Sequence, residues 1–269
     1  MSNKFNTQNL TLVHLYPEEM NIYGDMGNII CLKQRCLNRG IGFEVKEVRL
    51  QGHKTIPEGD IYFMGGGQDN DMHKIFLDLF KNKKKQIENL VERNKVFLLI
   101  CGGFQLFGEY FLDSQLREIK GLGILPITTK APGKELKERC LGNMVAKIND
   151  DLLKEIKSYY KGELSPFLVG FENHSGQTYF TNDKVKPTSK VINGWGNNAI
   201  ERLEGAYYRN IYASYMHGSL LPKNPHFADM LIGKALKNKY GKVNLLALDD
   251  SIEWAAHFAL LKKFNLSKS

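Results

Sequence analysis

Hydrophobic positions in the first hundred residues alternate between two periods. Residues 10–16 (LTLVHLY) are a run of strand formers closed by Pro17, and residues 43–50 alternate as a half-buried strand does. Between them, Ile29, Ile30, Leu32, Cys36 and Leu37 recur at helical spacing until Gly40. Residues 60–64 form a short apolar segment running into Gly65-Gly66-Gly67, and residues 71–93 are long, charged and helically periodic. Residues 96–100 (VFLLI) are apolar without interruption, as a parallel strand covered on both faces requires. This alternation predicts a doubly wound α/β fold with a mostly parallel central sheet and chemistry at the carboxyl ends of its strands.

Beyond about residue 121 the pattern changes to strands and turns. Residues 140–148, 167–172 and 210–216 read as extended, and residues 226–240 and 251–264 as amphipathic helices. No internal repeat, low-complexity tract or linker interrupts the chain. One domain over residues 1–269 is therefore expected, with a core at about 10–225 and a C-terminal helical appendage at about 226–265.

Composition narrows the function classes. No apolar run approaches the ~18–20 residues a membrane span needs, and residues 1–9 are polar, unlike a signal peptide. A cytoplasmic location without a membrane span is expected. The net charge of +8 invites a nucleic-acid reading, but no helix-turn-helix, RNA-recognition or zinc-finger pattern accompanies it. Lys81, Lys83, Lys84 and Lys85 read instead as a solvated helix face, so no nucleic-acid partner is expected. The four cysteines form no C-x-x-C pair and no metal-ligand spacing, which predicts free thiols and no metal. Cys31 and Cys36, on a helical stretch, read as packing residues.

Three segments carry candidate chemistry. In Leu98-Leu99-Ile100-Cys101-Gly102-Gly103-Phe104-Gln105 a buried strand ends at a cysteine, two glycines follow, and a helix begins. That is the layout of a nucleophile elbow, in which a tight turn lifts the side chain clear of the sheet. A helix start beside Cys101 would favour its thiolate. Gly65-Gly66-Gly67-Gln68-Asp69 follows another buried strand and lacks the G-x-G-x-x-G spacing of a phosphate loop. Backbone N–H groups at Gly66 or Gly67, with that of Gly102, are candidates for an oxyanion hole. Tyr212-Ala213-Ser214-Tyr215-Met216-His217-Gly218 reads as a strand ending in a candidate base, His217.

Taken in chain order, these segments resemble the class I glutamine amidotransferase family, in its cobyric-acid-synthase-like (CobB/CobQ-like) branch. The resemblance is nearest to the GatD family, the glutaminase subunits of lipid II isoglutaminyl synthase. It is carried further by Tyr23-Gly24-Asp25-Met26-Gly27-Asn28, Gly121-Leu122-Gly123, Gly170-Phe171-Glu172-Asn173-His174, Gly194-Trp195-Gly196-Asn197-Asn198 and His217-Gly218-Ser219-Leu220-Leu221-Pro222, and covers roughly residues 10–225. Two positions depart from the wider family: Leu99 stands where many members have glycine, and Ser219 where many have the glutamate that orients the histidine.

The resemblance implies a three-layer, flavodoxin-like fold and hydrolysis of L-glutamine through a Cys101 thioester, with His217 as base. It implies that Arg139 binds the substrate's α-carboxylate, a role suited to a bidentate guanidinium, and that Gln105 supports the substrate pocket. His174 is expected to be structural. The third, acidic catalytic member would come from a partner subunit, with Asp25 the candidate within this chain. The implied partner is a MurT-like Mur ligase in a heterodimer. That ligase would bind ATP and Mg and would use the ammonia to amidate D-glutamate of the lipid II stem peptide. No cofactor is expected in this chain. Another acceptor carboxylate, such as cobyrinate, and a stand-alone cysteine hydrolase stay open as alternatives.

Overall fold

A computed structural model describes residues 8–50, 54–112, 115–132, 139–241 and 243–266. Its central sheet contains β1 (Asn9–Leu15), β2 (Gly42–Val48), β3 (Ile61–Met64), β4 (Val96–Ile100), β13 (Ala206–Tyr208) and β14 (Ile211–Ser214), in the order β13-β14-β4-β3-β1-β2. The five strands from β14 to β2 are parallel, and β13 adds an antiparallel edge. Every residue of β3 and β4 is buried, as their continuous apolar sequences predict, whereas β2 at the edge is largely exposed.

Helix α1 (Met26–Leu37) links β1 to β2, and α2 (Asp69–Asp78) and α3 (Lys84–Glu92) link β3 to β4. The periodicity at 71–93 predicts one helix, but a π-helical turn at Leu79–Lys83 divides it. Of the lysines read as a solvated face, Lys81 and Lys85 are exposed and Lys84 is half-buried, but Lys83 is not on that face. Lys83 points inward with a fully buried side chain, and its ammonium meets Asp78 Oδ2 at 2.5 Å. The Tyr16 hydroxyl donates to the same carboxylate at 2.8 Å. A buried ammonium needs such a partner, and Asp78 supplies it.

Two smaller sheets flank the central one. One contains β5 (Tyr110–Leu112), β6 (Glu118–Lys120), β7 (Ile127–Lys130) and β10 (Gln177–Phe180). The other, in the order β12-β11-β8-β9-β15, contains β8 (Cys140–Ile148), β9 (Phe167–His174), β11 (Ser189–Asn193), β12 (Leu203–Glu204) and β15 (Met216–His217). The segment read as one strand from 210 to 216 therefore serves two sheets. It leaves the central sheet after Ser214 and joins β9 at Met216, pairing His217 with Phe171. Buried Glu204 fixes the change of direction, because its Oε1 accepts from the Ser214 hydroxyl (2.6 Å) and the Tyr215 N–H (3.0 Å).

Four helices complete the structure: α4 (Gly102–Phe107), α5 (Asp150–Tyr159), α6 (Pro225–Tyr240) and α7 (Ser251–Lys263). Phe227, Met230, Leu231 and Ile232 of α6 belong to the same apolar cluster as β1, β3 and β4. Helix α7 adds Trp254 to that cluster, while its Leu261 packs on Val145, Phe167 and Val169. A buried ionic network ties α1 to α6 and to the start of α7. Arg35 donates to Asp229 (2.7 Å) and Asp250 (2.6 Å), and Arg39 donates to Asp229 (2.6 Å). Among the described residues, no helix is long and apolar enough to cross a membrane.

Candidate active site

Strand β4 ends at Ile100 and α4 starts at Gly102, leaving Cys101 to make the whole turn. Its backbone sits at φ +50°, ψ −103°, a conformation that L residues adopt only where the surroundings impose it. Two hydrogen bonds impose it here. The Cys101 N–H donates to Ser214 C=O (2.9 Å), and its own C=O accepts from the Gln105 N–H (3.0 Å). The glycines that follow allow backbone to pack on backbone. A Cβ on Gly103 would lie 2.7 Å from Met64 O, and one on Gly102 would lie 3.0 Å from the Gly67 nitrogen. The elbow thus rests directly on the loop leaving β3, fastened by Gly103 N–H to Gly65 C=O at 3.1 Å.

His217 and Asp25 are both fully buried, with Nδ1 of the imidazole 3.1 Å from Oδ1 of the carboxylate. The second carboxylate oxygen accepts from the Gly66 N–H at 2.9 Å. Asp25 therefore holds the imidazole and the glycine loop in one fixed relation. Ser219 does not orient the ring. Its hydroxyl donates to Gly24 C=O at 2.6 Å and fastens the loop that carries Asp25. Burial by itself would lower the His217 pKa, but the charge of Cys101, with the hydrogen bond and charge of Asp25, outweighs it and raises the pKa to about 10. Nε2 is buried and makes no well-aligned hydrogen bond among the described residues, yet Cys101 is near enough to be the strongest influence raising its pKa.

The Gly66 N–H is spent on Asp25. Those of Gly67 and Gly102, adjacent across the loop and the elbow, are spent on no other group among the described residues. Of the three candidate oxyanion donors, these two remain available.

Cys101 opens onto a cavity of about 830 Å³. Gly67, Gln68, Gln105, Tyr23, Arg139 and Asn173 are among the residues that line it. Arg139 Nε donates to Asn173 Oδ1 (2.5 Å), and Nη2 donates to the Tyr23 hydroxyl (2.7 Å). Both partners are neutral, so neither cancels the guanidinium charge, which suits the site to an anion. Gln105 donates to the Tyr215 hydroxyl (3.0 Å), which pairs with Thr178 Oγ1 (2.6 Å). His174 stacks on Tyr215 at 3.9 Å and its Nδ1 lies 2.9 Å from Gly176 O. Glu172 accepts from the N–H groups of Trp195 (2.8 Å) and Gly196 (2.9 Å), clamping the Gly-Trp-Gly turn onto β9.

The structure thus brings Cys101, His217, Asp25, Gly67 and Gly102 together at the strand ends, with Arg139 and Gln105 around the same cavity. Tyr23 and Asn173 belong to motifs visible in the sequence, but nothing in their spacing marks them as the two supports of Arg139. Among the described residues, no group of three or more His, Cys, Asp or Glu side chains is arranged to hold a metal ion.

Comparison with known proteins is consistent over most of the length. Residues 11–225 match the model of the CobB/CobQ-like glutamine amidotransferase domain. The chain is 38% identical to the lipid II isoglutaminyl synthase (glutamine-hydrolyzing) subunit GatD of Streptococcus pneumoniae, over 90% of this chain and 86% of that one. It is 33% identical to the corresponding GatD subunit of Staphylococcus aureus, over 96% of this chain and 98% of that one. Among solved structures it resembles the glutaminase domain of Trypanosoma brucei CTPS with bound acivicin (TM-score 0.51, 12% identity, 90% of this chain and 98% of that one), a likeness of fold.

Proposed function

The chain belongs to the CobB/CobQ-like glutamine amidotransferase family, and from that premise we propose that it is the glutaminase subunit of a lipid II isoglutaminyl synthase. One observation carries the chemistry: a strained cysteine at a cavity, beside a histidine whose far nitrogen is already held by a buried carboxylate. The acceptor half of the reading is supported by the GatD relatives, which align over nearly their whole length.

In this reading L-glutamine enters the cavity with its α-carboxylate at Arg139 and its side-chain amide toward Cys101. His217 takes the thiol proton, and its raised pKa lets it hold that proton as the imidazolium. Sulfur attacks the amide carbon, and the Gly67 and Gly102 N–H groups receive the oxyanion. His217 returns its proton to the leaving nitrogen, so ammonia departs and a γ-glutamyl thioester remains. Water, losing a proton to His217, hydrolyses the thioester to glutamate and regenerates the thiol. Asp25 keeps the imidazole in the tautomer and orientation that both steps need. Gln105 braces the cavity wall through Tyr215.

The ammonia has use only beside an activated acceptor. A MurT-like Mur ligase, binding ATP and Mg, would form a heterodimer with this chain and amidate the D-glutamate of the lipid II stem peptide to D-isoglutamine. Glutamate release from glutamine tests the proposal, with wild type and Cys101→Ala compared alone and with the co-expressed ligase. Release abolished by the substitution and raised by the ligase is the expected result. Absence of release from folded wild type in both conditions overturns it.

A further inference from the structure

Tyr23 touches both ends of this site. Its hydroxyl accepts from Arg139 Nη2 at 2.7 Å. Its ring stands edge-on to the His217 imidazole, with centroids 5.1 Å apart at 80°. Its backbone C=O accepts the Gly218 N–H at 3.2 Å, which ties it to the turn following the base. To make all three contacts the residue adopts φ +56°, a left-handed conformation that is costly for an aromatic side chain. Two residues on, Asp25 holds the other side of the same imidazole. Asn173 holds Arg139 through Nε, so the guanidinium plane is fixed at two points. The phenol oxygen thus meets the substrate only through the guanidinium that it holds.

On the glutaminase reading above, we infer that Tyr23 is a positioning residue that fixes the distance between the α-carboxylate anchor Arg139 and the base His217. A substrate with its α-carboxylate at Arg139 is then held in a set position relative to His217, with its amide toward Cys101.

Steady-state glutamate release by Tyr23→Phe, Tyr23→Ala, Arg139→Ala and the Tyr23→Phe/Arg139→Ala double variant tests the inference. Tyr23→Phe keeps the ring and loses the hydroxyl, so KM for glutamine should rise roughly five- to tenfold, with kcat changed less than about twofold. Tyr23→Ala also removes the ring from His217, so kcat should fall about tenfold further, and the phenylalanine variant marks the part that the ring alone restores. In the Arg139→Ala background, Tyr23→Phe should raise KM no further, because the hydroxyl acts through Arg139. An unchanged KM in Tyr23→Phe, or additive effects in the double variant, overturns the role of Tyr23 while leaving the glutaminase reading intact. A folded wild type without glutamate release, alone or with the ligase, overturns both.

Discussion

A buried carboxylate that accepts from a backbone amide on one oxygen and faces an imidazole on the other controls the ring's charge as well as its direction. With Asp25 and Cys101 nearby, His217 is raised from 6.5 to about 10. The imidazolium therefore contributes stability that is fully present below pH 6.5 and lost as pH rises through about 10, and kcat/KM should fall along an alkaline limb there. Asp25→Asn removes one of the raising influences, so that limb should move to lower pH, and kcat should drop about 10²–10³-fold. pH–rate profiles measured with and without the ligase check this. A loss of rate that the ligase fully restores would assign the orienting acid to the partner instead. In the sequence Asp25 was the candidate acid within this chain, by its place in a loop after the first strand, and ranked behind an acid from the partner subunit. That it meets His217, 192 residues away, was not visible, because no short-range pattern encodes such a pairing.

At the scale of elements, the elbow shows a glycine required by close approach. Gly103 lies so near β3 that a methyl group would sit 2.7 Å from the Met64 carbonyl oxygen, a backbone atom that cannot swing aside. Gly103→Ala should push α4 away from β3, lowering stability by about 1–3 kcal/mol and disturbing Cys101. A thermal melt together with the rate of Cys101 alkylation reads both effects. The join of α1 to α6 tests a different force. Asp229 pairs with both Arg35 and Arg39, and all three are buried. Asp229→Ala leaves two guanidinium groups short of a partner and should cost about 3–5 kcal/mol in urea unfolding. Strands β1 to β4 and helices α1, α6 and α7 were readable from periodicity because period 2 and period 3.6 are local properties, whereas α5 lies in a stretch read as strands and turns. The π-helical turn and the inward Lys83 were not readable, since the half-buried Asp78 and the buried Tyr16 around that lysine are assembled by tertiary packing.

At the scale of the molecule, Glu204 couples folding to pH. It is fully buried at the point where the chain passes from the central sheet to the sheet carrying His217. Burial raises its pKa from 4.5 to about 7, although the Ser214 hydroxyl and the Tyr215 N–H oppose the shift. Because the folded value lies above the unfolded one, this group's contribution is greatest below pH 4.5 and is lost as pH rises through about 7, by up to about 3 kcal/mol. Glu204→Gln keeps an acceptor for Ser214 and Tyr215 without the ionisation. Between pH 5 and pH 8 the variant should therefore lose about 2–3 kcal/mol less stability than wild type. Urea unfolding at the two pH values measures the difference, and equal losses would contradict the raised pKa.

The sequence by itself determined the doubly wound core, the elbow at Cys101, the glycine loop and the order of motifs that shows the family. Each of these is local: a periodicity, a turn chemistry or a short string of residues. Tertiary structure alone decided which acid meets His217, which amides remain for an oxyanion, and that Tyr23 and Asn173 hold Arg139. It also decided that His217 arrives on a strand of a different sheet from the one that carries Cys101. These relations join residues far apart in the chain, and they follow from strand order and the packing of sheet on sheet, which the spacing along one segment does not specify.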